Sequence, residues 1–267
     1  MLDLFSAASP FSLIVLVFLA ILPFLANTAF WTIALRELGE VVTWRQVNRA
    51  STKTTLTRYL PGGIWLFISR SLALTHEGVA ASSLVVMTGL EVLLATPVAL
   101  LIGSILLSSS HELPNWLSWA ALSLLLGITT LARPFLNKIL RWWAKRKKIQ
   151  LPPKLSSMAI FRMSISLMVY WLVFGTVFFF YLELMEQTIS WTGAVGGFSL
   201  SWRISLFTPF APQGLGLFEP SFIALLGWSA DALLLIGAFR IVLIIRDLLL
   251  TVGAGMIFKK RPELLKS

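Results

Sequence analysis

A broken segment, TPFAPQGLGLFEPSF (residues 208–222), interrupts apolar sequence late in the chain. It contains three prolines, two glycines and one acidic residue, Glu219. Proline and glycine disfavour continuous helix, and non-helical backbone is tolerated at membrane depth only where protein buries it or a water-filled cavity solvates it. A break followed by an acidic side chain therefore predicts the floor of a binding site inside a membrane.

The other break, YLPGGIW (residues 59–65), lies near the front of the chain. In chain order it is the first break, and residues 208–222 form the second. Residues 64–74 then resume as a short apolar helix that carries Arg70. At about 1.5 Å per residue this helix is roughly 16 Å long, which is half of a bilayer core. A half-length helix after a break predicts a re-entrant segment, and the two breaks together predict a pathway for a lipid or lipid-linked substrate.

The composition of the 267-residue chain is that of an integral membrane protein. Hydrophobic residues make up 57% and charged residues 13%, whereas an ordinary soluble domain is about 25% charged. We expect one all-α, polytopic domain over residues 1–267, with about five full spans and two re-entrant or broken-helix segments, residues 59–74 and 191–227. The expected full spans are residues 11–35, 80–107, 116–131, 158–182 and 231–258.

The first span contains a proline, Pro23, that is expected to kink it. Asn27 and Thr28 follow and offer polar atoms to a neighbouring helix. After this span, Arg45, Arg49 and Lys53 recur at every fourth residue. They form one basic stripe if the segment is helical, and the segment is then either a helix on an anionic membrane surface or a solvated loop helix.

Basic residues are distributed as the positive-inside rule requires, and they account for the net charge of +10. A loop over residues 133–157 holds eight of them and no acid, which predicts a cytoplasmic loop, a cytoplasmic C-terminus and an inner-membrane location. This topology, rather than a nucleic-acid partner, explains the charge.

The same composition makes several kinds of chemistry unexpected. The chain has no cysteine and only two histidines, both in predicted loops, so no metal site and no prosthetic group are expected. Phosphate-cradling, zinc-protease and serine-nucleophile motifs are absent from the sequence. Glu91 and Glu219 are weak candidates for a catalytic acid pair. We therefore expect no enzyme and no catalytic residues.

Seven ionisable residues fall within apolar segments, where each costs about 2.5 to 3.5 kcal/mol on insertion scales. Glu91 and Arg240 lie at similar predicted depth with opposite charge, and they are expected to be neighbours, with Glu219 in reach of an arginine. Either these pairs only hold helices together, or the arginines bind a lipid phosphate while the carboxylates orient them or carry protons. The seven residues are Arg70, Glu91, Arg203, Glu219, Arg240, Arg246 and Asp247.

The motifs YLPGGIW, followed by Arg70, and FAPQGLGLFE (residues 210–219) carry a family resemblance. The chain resembles the transmembrane region of the lysylphosphatidylglycerol synthase family, whose members are described as flippase-like. The resemblance covers most of the chain and implies an all-helical domain that moves or presents polar lipids or glycolipids. It implies as substrate-binding residues Pro61, Gly62, Arg70, Glu91, Pro212, Gly214, Gly216, Glu219 and Arg240.

The chain departs from the family pattern in three respects. The soluble aminoacyl-transfer domain of the full synthases is missing, so lipid lysylation is not expected. Phe218 stands where the family often has arginine, which weakens a phosphate site at that position. Relative to the family, the chain is expected to begin one span late.

The sequence thus predicts a membrane protein that translocates or handles an anionic phospholipid or a lipid-linked saccharide across the cytoplasmic membrane. Membrane lipids are its expected partners, with a cell-envelope glycosyltransferase or a second copy of the chain as further candidates. One alternative is a secondary transporter for a small solute, driven by protons through Glu91 or Glu219. Another is a non-transporting membrane partner of a cell-envelope glycosyltransferase.

Overall fold

The structure, a computed structural model, describes residues 9–61, 64–109, 114–127, 138, 155–205 and 216–257. In this part of the chain there are helices and turns but no strand. The helices, in chain order, are α1 Pro10–Leu19, α2 Ile21–Glu37, α3 Trp44–Thr54, α4 Trp65–Thr75, α5 Ala81–Ser109, α6 Trp116–Gly127, α7 Ser157–Leu184, α8 Trp191–Ile204, α9 Phe218–Leu226 and α10 Ala232–Ile257. A 3₁₀ turn, Thr55–Tyr59, follows α3.

Three helical segments of the described chain are long and apolar enough to cross a membrane. They are Pro10–Glu37, which comprises α1 and α2, then α5 with 29 residues and α7 with 28 residues. Each exceeds the roughly 20 residues that a bilayer core requires. The predicted all-α, polytopic membrane fold is confirmed.

Shorter helices flank the two breaks. Helix α4 has 11 residues, α8 has 14 and α9 has nine, so each is shorter than the roughly 30 Å bilayer core. The short helix expected after the first break is confirmed as α4. The re-entrant course of these segments stays a prediction.

The first membrane segment is interrupted at the junction between α1 and α2. Helix α1 ends at Leu19 and α2 begins at Ile21, with Ala20 between them. The ring of Pro23 clashes with the carbonyl of the residue four positions earlier, which is Leu19, and it supplies no amide for that carbonyl. The helix distortion expected from Pro23 therefore lies about one turn before the proline itself, at Ala20.

Glycines allow α8 to approach its neighbours closely. A Cβ atom added to Gly103 of α5 would lie 3.0 Å from the carbonyl oxygen of Gly196 in α8. One added to Gly175 of α7 would lie 2.9 Å from the Cα atom of Val195. Gly196 is one of three glycines in α8, and such small residues permit close contact between membrane helices.

An aromatic cluster joins the second half of the molecule. Phe178 of α7 is fully buried, and its ring lies 4.9 Å from that of Phe239 in α10 and 5.1 Å from those of Phe198 in α8 and Phe222 in α9. Because these rings come from four helices, their packing fixes α9 against the long helices.

Substitution of Gly175 by alanine tests the α7–α8 contact. The new methyl group meets backbone, which a rotamer change cannot relieve, so we expect a loss of about 1 to 3 kcal/mol in the free energy of unfolding. Gly89→Ala is the control, because a Cβ there meets nothing within 4 Å. Thermal unfolding in detergent micelles compares the two, and equal melting temperatures would contradict the close contact.

Candidate functional site

The intramembrane charged residues collect in three groups in the described structure. Five of the seven are buried, and Asp247 is fully inaccessible to solvent. We name the groups the Glu219 pair, the Asp247 cluster and the Glu91 network, after the carboxylate in each. A buried charge needs an opposite charge and hydrogen bonds, so the partners of each carboxylate define what the site can do.

The Glu219 pair connects α9 to α10. Arg240 donates from Nε to Glu219 Oε1 at 2.8 Å, and its Nη2 lies 2.8 Å from the same oxygen. The backbone amide of Gly216 donates to Glu219 Oε2 at 3.2 Å, and Gly216 has a φ of 89°, which favours glycine. The expectation that Glu219 reaches an arginine is confirmed.

Two aromatic rings lie beneath the Arg240 guanidinium. Its Cζ atom is 5.6 Å from the centroid of Phe218 and 5.9 Å from that of Trp202. Both distances are within the range of a cation–π interaction. Phe218, at the position where the family resemblance implies arginine, is thus buried below a guanidinium that α10 supplies.

The Asp247 cluster connects α10 to the segment that precedes the first break. Arg246 donates from Nε to Asp247 Oδ1 at 2.9 Å, and the Tyr59 hydroxyl donates to Oδ2 at 2.8 Å. The Nε atom of Arg58 lies 3.5 Å from Oδ2. Arg246 also donates to the carbonyl oxygen of Ala20, at the junction of α1 and α2, at 3.2 Å. One carboxylate therefore faces two guanidinium groups.

The Glu91 network connects α5, α2 and α4. Asn27 donates from Nδ2 to Glu91 Oε1 at 2.9 Å, and Trp31 donates from Nε1 to Glu91 Oε2 at 3.0 Å. Asn27 Oδ1 accepts from Arg70 Nη1 at 3.0 Å. The Cζ atom of Arg70 lies 4.7 Å from the centroid of the Trp31 ring. Glu91 thus reaches Arg70 through the Asn27 amide.

Arg203 of α8 supplies a further guanidinium, which lies over a buried ring of α7. Its Cζ atom lies 4.9 Å from the centroid of the Trp171 ring. Among the described residues, the buried Nε atoms of Arg70 and Arg203 have no hydrogen-bond partner. These two N–H groups are therefore unused donors.

The three groups, together with Arg203, carry more positive than negative charge. Across this set, the described residues supply five arginines against three carboxylates, an excess of two positive charges. Such an excess inside a membrane favours an anionic ligand.

The expected Glu91–Arg240 pair is wrong, because the structure gives each residue other partners. Glu91 on α5 faces α2, whereas Arg240 on α10 faces α9. Similar depth did not make them neighbours, because helix rotation and packing decide which faces meet. Asn27 shares its polar atoms with two other helices as expected, but Thr28 donates to Phe24 of its own helix.

The remaining predicted site residues lie at the breaks. Pro61 is described, and its carbonyl oxygen accepts a hydrogen bond from Trp65 Nε1 at 2.7 Å. Gly62, Pro212 and Gly214 lie outside the described residues. Sequence reasoning missed Trp31 and Tyr59 as partners of the carboxylates. The only signal in the sequence was an aromatic side chain with a hydrogen-bond donor, an indole N–H or a phenol O–H, within or beside an apolar segment.

These features define a polytopic helical membrane protein with charged residues gathered in its interior. The family model for the lysylphosphatidylglycerol synthase TM region matches residues 1–251. The chain belongs to this family. A search of curated proteins finds no match.

Replacement of Asp247 by asparagine tests the Asp247 cluster. It leaves the buried Arg246 without its counter-charge, so we expect a loss of about 3 to 5 kcal/mol in the free energy of unfolding. The control is Glu77→Gln, which removes a 3.6 Å pair with the partly exposed Arg49 and should cost less than about 1 kcal/mol. Thermal unfolding in detergent measures both, and similar losses would refute a structural role for Asp247.

Proposed function

We propose that this protein binds an anionic phospholipid or a lipid-linked saccharide through its phosphate and moves it across the cytoplasmic membrane. The observation that carries the proposal is the pair of unused guanidinium donors on Arg70 and Arg203, set in an interior with excess positive charge. The family membership supports a role with membrane lipids.

A phosphate suits these donors for electrostatic and geometric reasons. Charge-assisted hydrogen bonds are shorter and stronger than neutral ones, and the planar guanidinium matches two phosphate oxygens at once. An arginine with a buried, unpaired N–H group also carries a desolvation cost, which a bound phosphate removes. The Trp31 and Trp171 rings hold the two guanidinium planes in place.

The carboxylates act in this proposal as positioning groups. Glu91 orients Arg70 through Asn27, and Glu219 holds Arg240 at the start of α9. No covalent step and no cofactor enter the proposed cycle. The loop over residues 133–157 and the C-terminus are assigned to the cytoplasmic side by the positive-inside rule.

Lipid translocation is measured in liposomes that contain the purified protein and fluorescent phosphatidylglycerol. A membrane-impermeant reductant bleaches only outer-leaflet label, so movement between leaflets raises the bleached fraction above one half. We expect Arg70→Gln and Arg203→Gln to slow this movement at least about tenfold, since a hydrogen bond to a charged group contributes roughly 1.5 to 3 kcal/mol. Arg45→Gln, on the exposed face of α3, should keep the wild-type rate.

The controls separate the proposal from its alternatives. Each variant is first shown to unfold at a temperature close to that of the wild type. Fluorescent phosphatidylcholine, whose headgroup has no net charge, should move more slowly than phosphatidylglycerol. If the folded wild type moves no anionic phospholipid and no lipid-linked saccharide, the proposal is overturned in favour of a solute transporter or a non-transporting partner of a glycosyltransferase.

A further inference from the structure

An open groove runs along the membrane-facing side of α2 and α7, outside the charged interior. Its volume is about 640 Å³. The large apolar residues of its α7 side are exposed, whereas the apolar residues of its α2 side are partly buried. The apolar lining residues are Ala26, Ala29 and Ile33 on α2 and Phe161, Ile165 and Val169 on α7.

The length of the groove matches one leaflet of a bilayer. From Ala26 to Arg36, the α2 wall advances by ten residue positions, or about 15 Å of helix axis. The hydrocarbon core of a whole bilayer is about 30 Å thick. The groove also starts at a helix boundary on both sides, because α2 ends at Glu37 and α7 begins at Ser157. We call this end of the groove its mouth, and the helix boundaries indicate that it lies near one membrane interface.

Among the described lining residues, charged side chains lie only at the mouth of this groove. Arg162 lies 2.8 Å from Glu37 and is 62% exposed, so a single acid neutralises it in part. Arg36 is held by a 2.9 Å hydrogen bond from Nε to the carbonyl oxygen of Val42. Two arginines and one glutamate leave one net positive charge at the level of lipid headgroups.

We propose that this groove binds one anionic phospholipid, with an acyl chain along the apolar walls and the phosphate at Arg36 and Arg162. Apolar walls of one-leaflet length and a basic mouth are complementary to a lipid of this class and to no soluble anion. The groove is separate from the buried arginines, so the inference does not depend on whether the protein translocates lipid.

The test uses the full-length protein in vesicles that contain a photoreactive phosphatidylglycerol or phosphatidylcholine with a diazirine in its acyl chain. After irradiation, mass spectrometry compares adducts in the groove with adducts on the exposed face of α10, at Leu248 and Val252. One net basic charge near an anionic lipid corresponds to about a fivefold preference. We therefore expect about fivefold more groove adduct from phosphatidylglycerol than from phosphatidylcholine, with little difference on α10.

Two variants separate charge from shape. Arg162→Gln should reduce the headgroup preference and leave chain labelling in place. Ala29→Trp should fill the groove and abolish the groove adducts of both lipids. Ile244→Trp, on the exposed face of α10, should leave these groove adducts in place. Arg203→Gln, which alters the interior alone, should leave groove labelling unchanged.

A measurement on the unmodified protein keeps the inference testable if a variant fails to fold. Raising the salt concentration from 0.1 M to 1 M shortens the screening length from about 10 Å to about 3 Å and should weaken the preference. Equal groove labelling by the two lipids, an equal preference on α10, or a preference that survives both Arg162→Gln and high salt would overturn the proposal.

Discussion

The fold depends on the requirement that charges inside a membrane be paired, and helix α10 meets it at two positions. Arg240 and Asp247 are seven residues apart and so lie on one face of the helix. Arg240 holds Glu219 at the start of α9, within the second break. Asp247 holds Tyr59, the first residue of the first break. One helix thus anchors the chain at both interruptions.

Aromatic rings make these interior charges tolerable. Arg70 lies over Trp31, Arg203 over Trp171 and Arg240 over Phe218. A ring face offers a cation a favourable interaction without adding a second charge, and the guanidinium edge stays free for hydrogen bonds. Phe218 fits this pattern, because an arginine at its position would add to a positive charge that is already in excess.

Helix α2 contributes residues to two surfaces of different chemistry, the polar Glu91 network on one face and the apolar groove on another. Successive residues on a helix are about 100° apart, so Asn27 points to Glu91 and Arg70 while its neighbour Ala26 lines the groove against α7. In our proposals, a lipid in the groove lies one helix width from the interior arginines. The alanines of α2 keep the groove open, and the polar residues of its next face hold the network together.

The sequence by itself determined the class of protein and the place of the long apolar helices, because hydropathy acts on the chain locally. From prolines and glycines it also predicted the two breaks. It also predicted that Glu219 reaches an arginine, since both are charged residues within apolar segments. Only the tertiary structure decided the partners of Glu91, which are Asn27 and Trp31, 64 and 60 positions away in the sequence. It also decided the partner of Tyr59, which is Asp247, 188 positions away. Spacing fixes the depth of a side chain in its own helix, whereas its neighbours depend on helix rotation and packing.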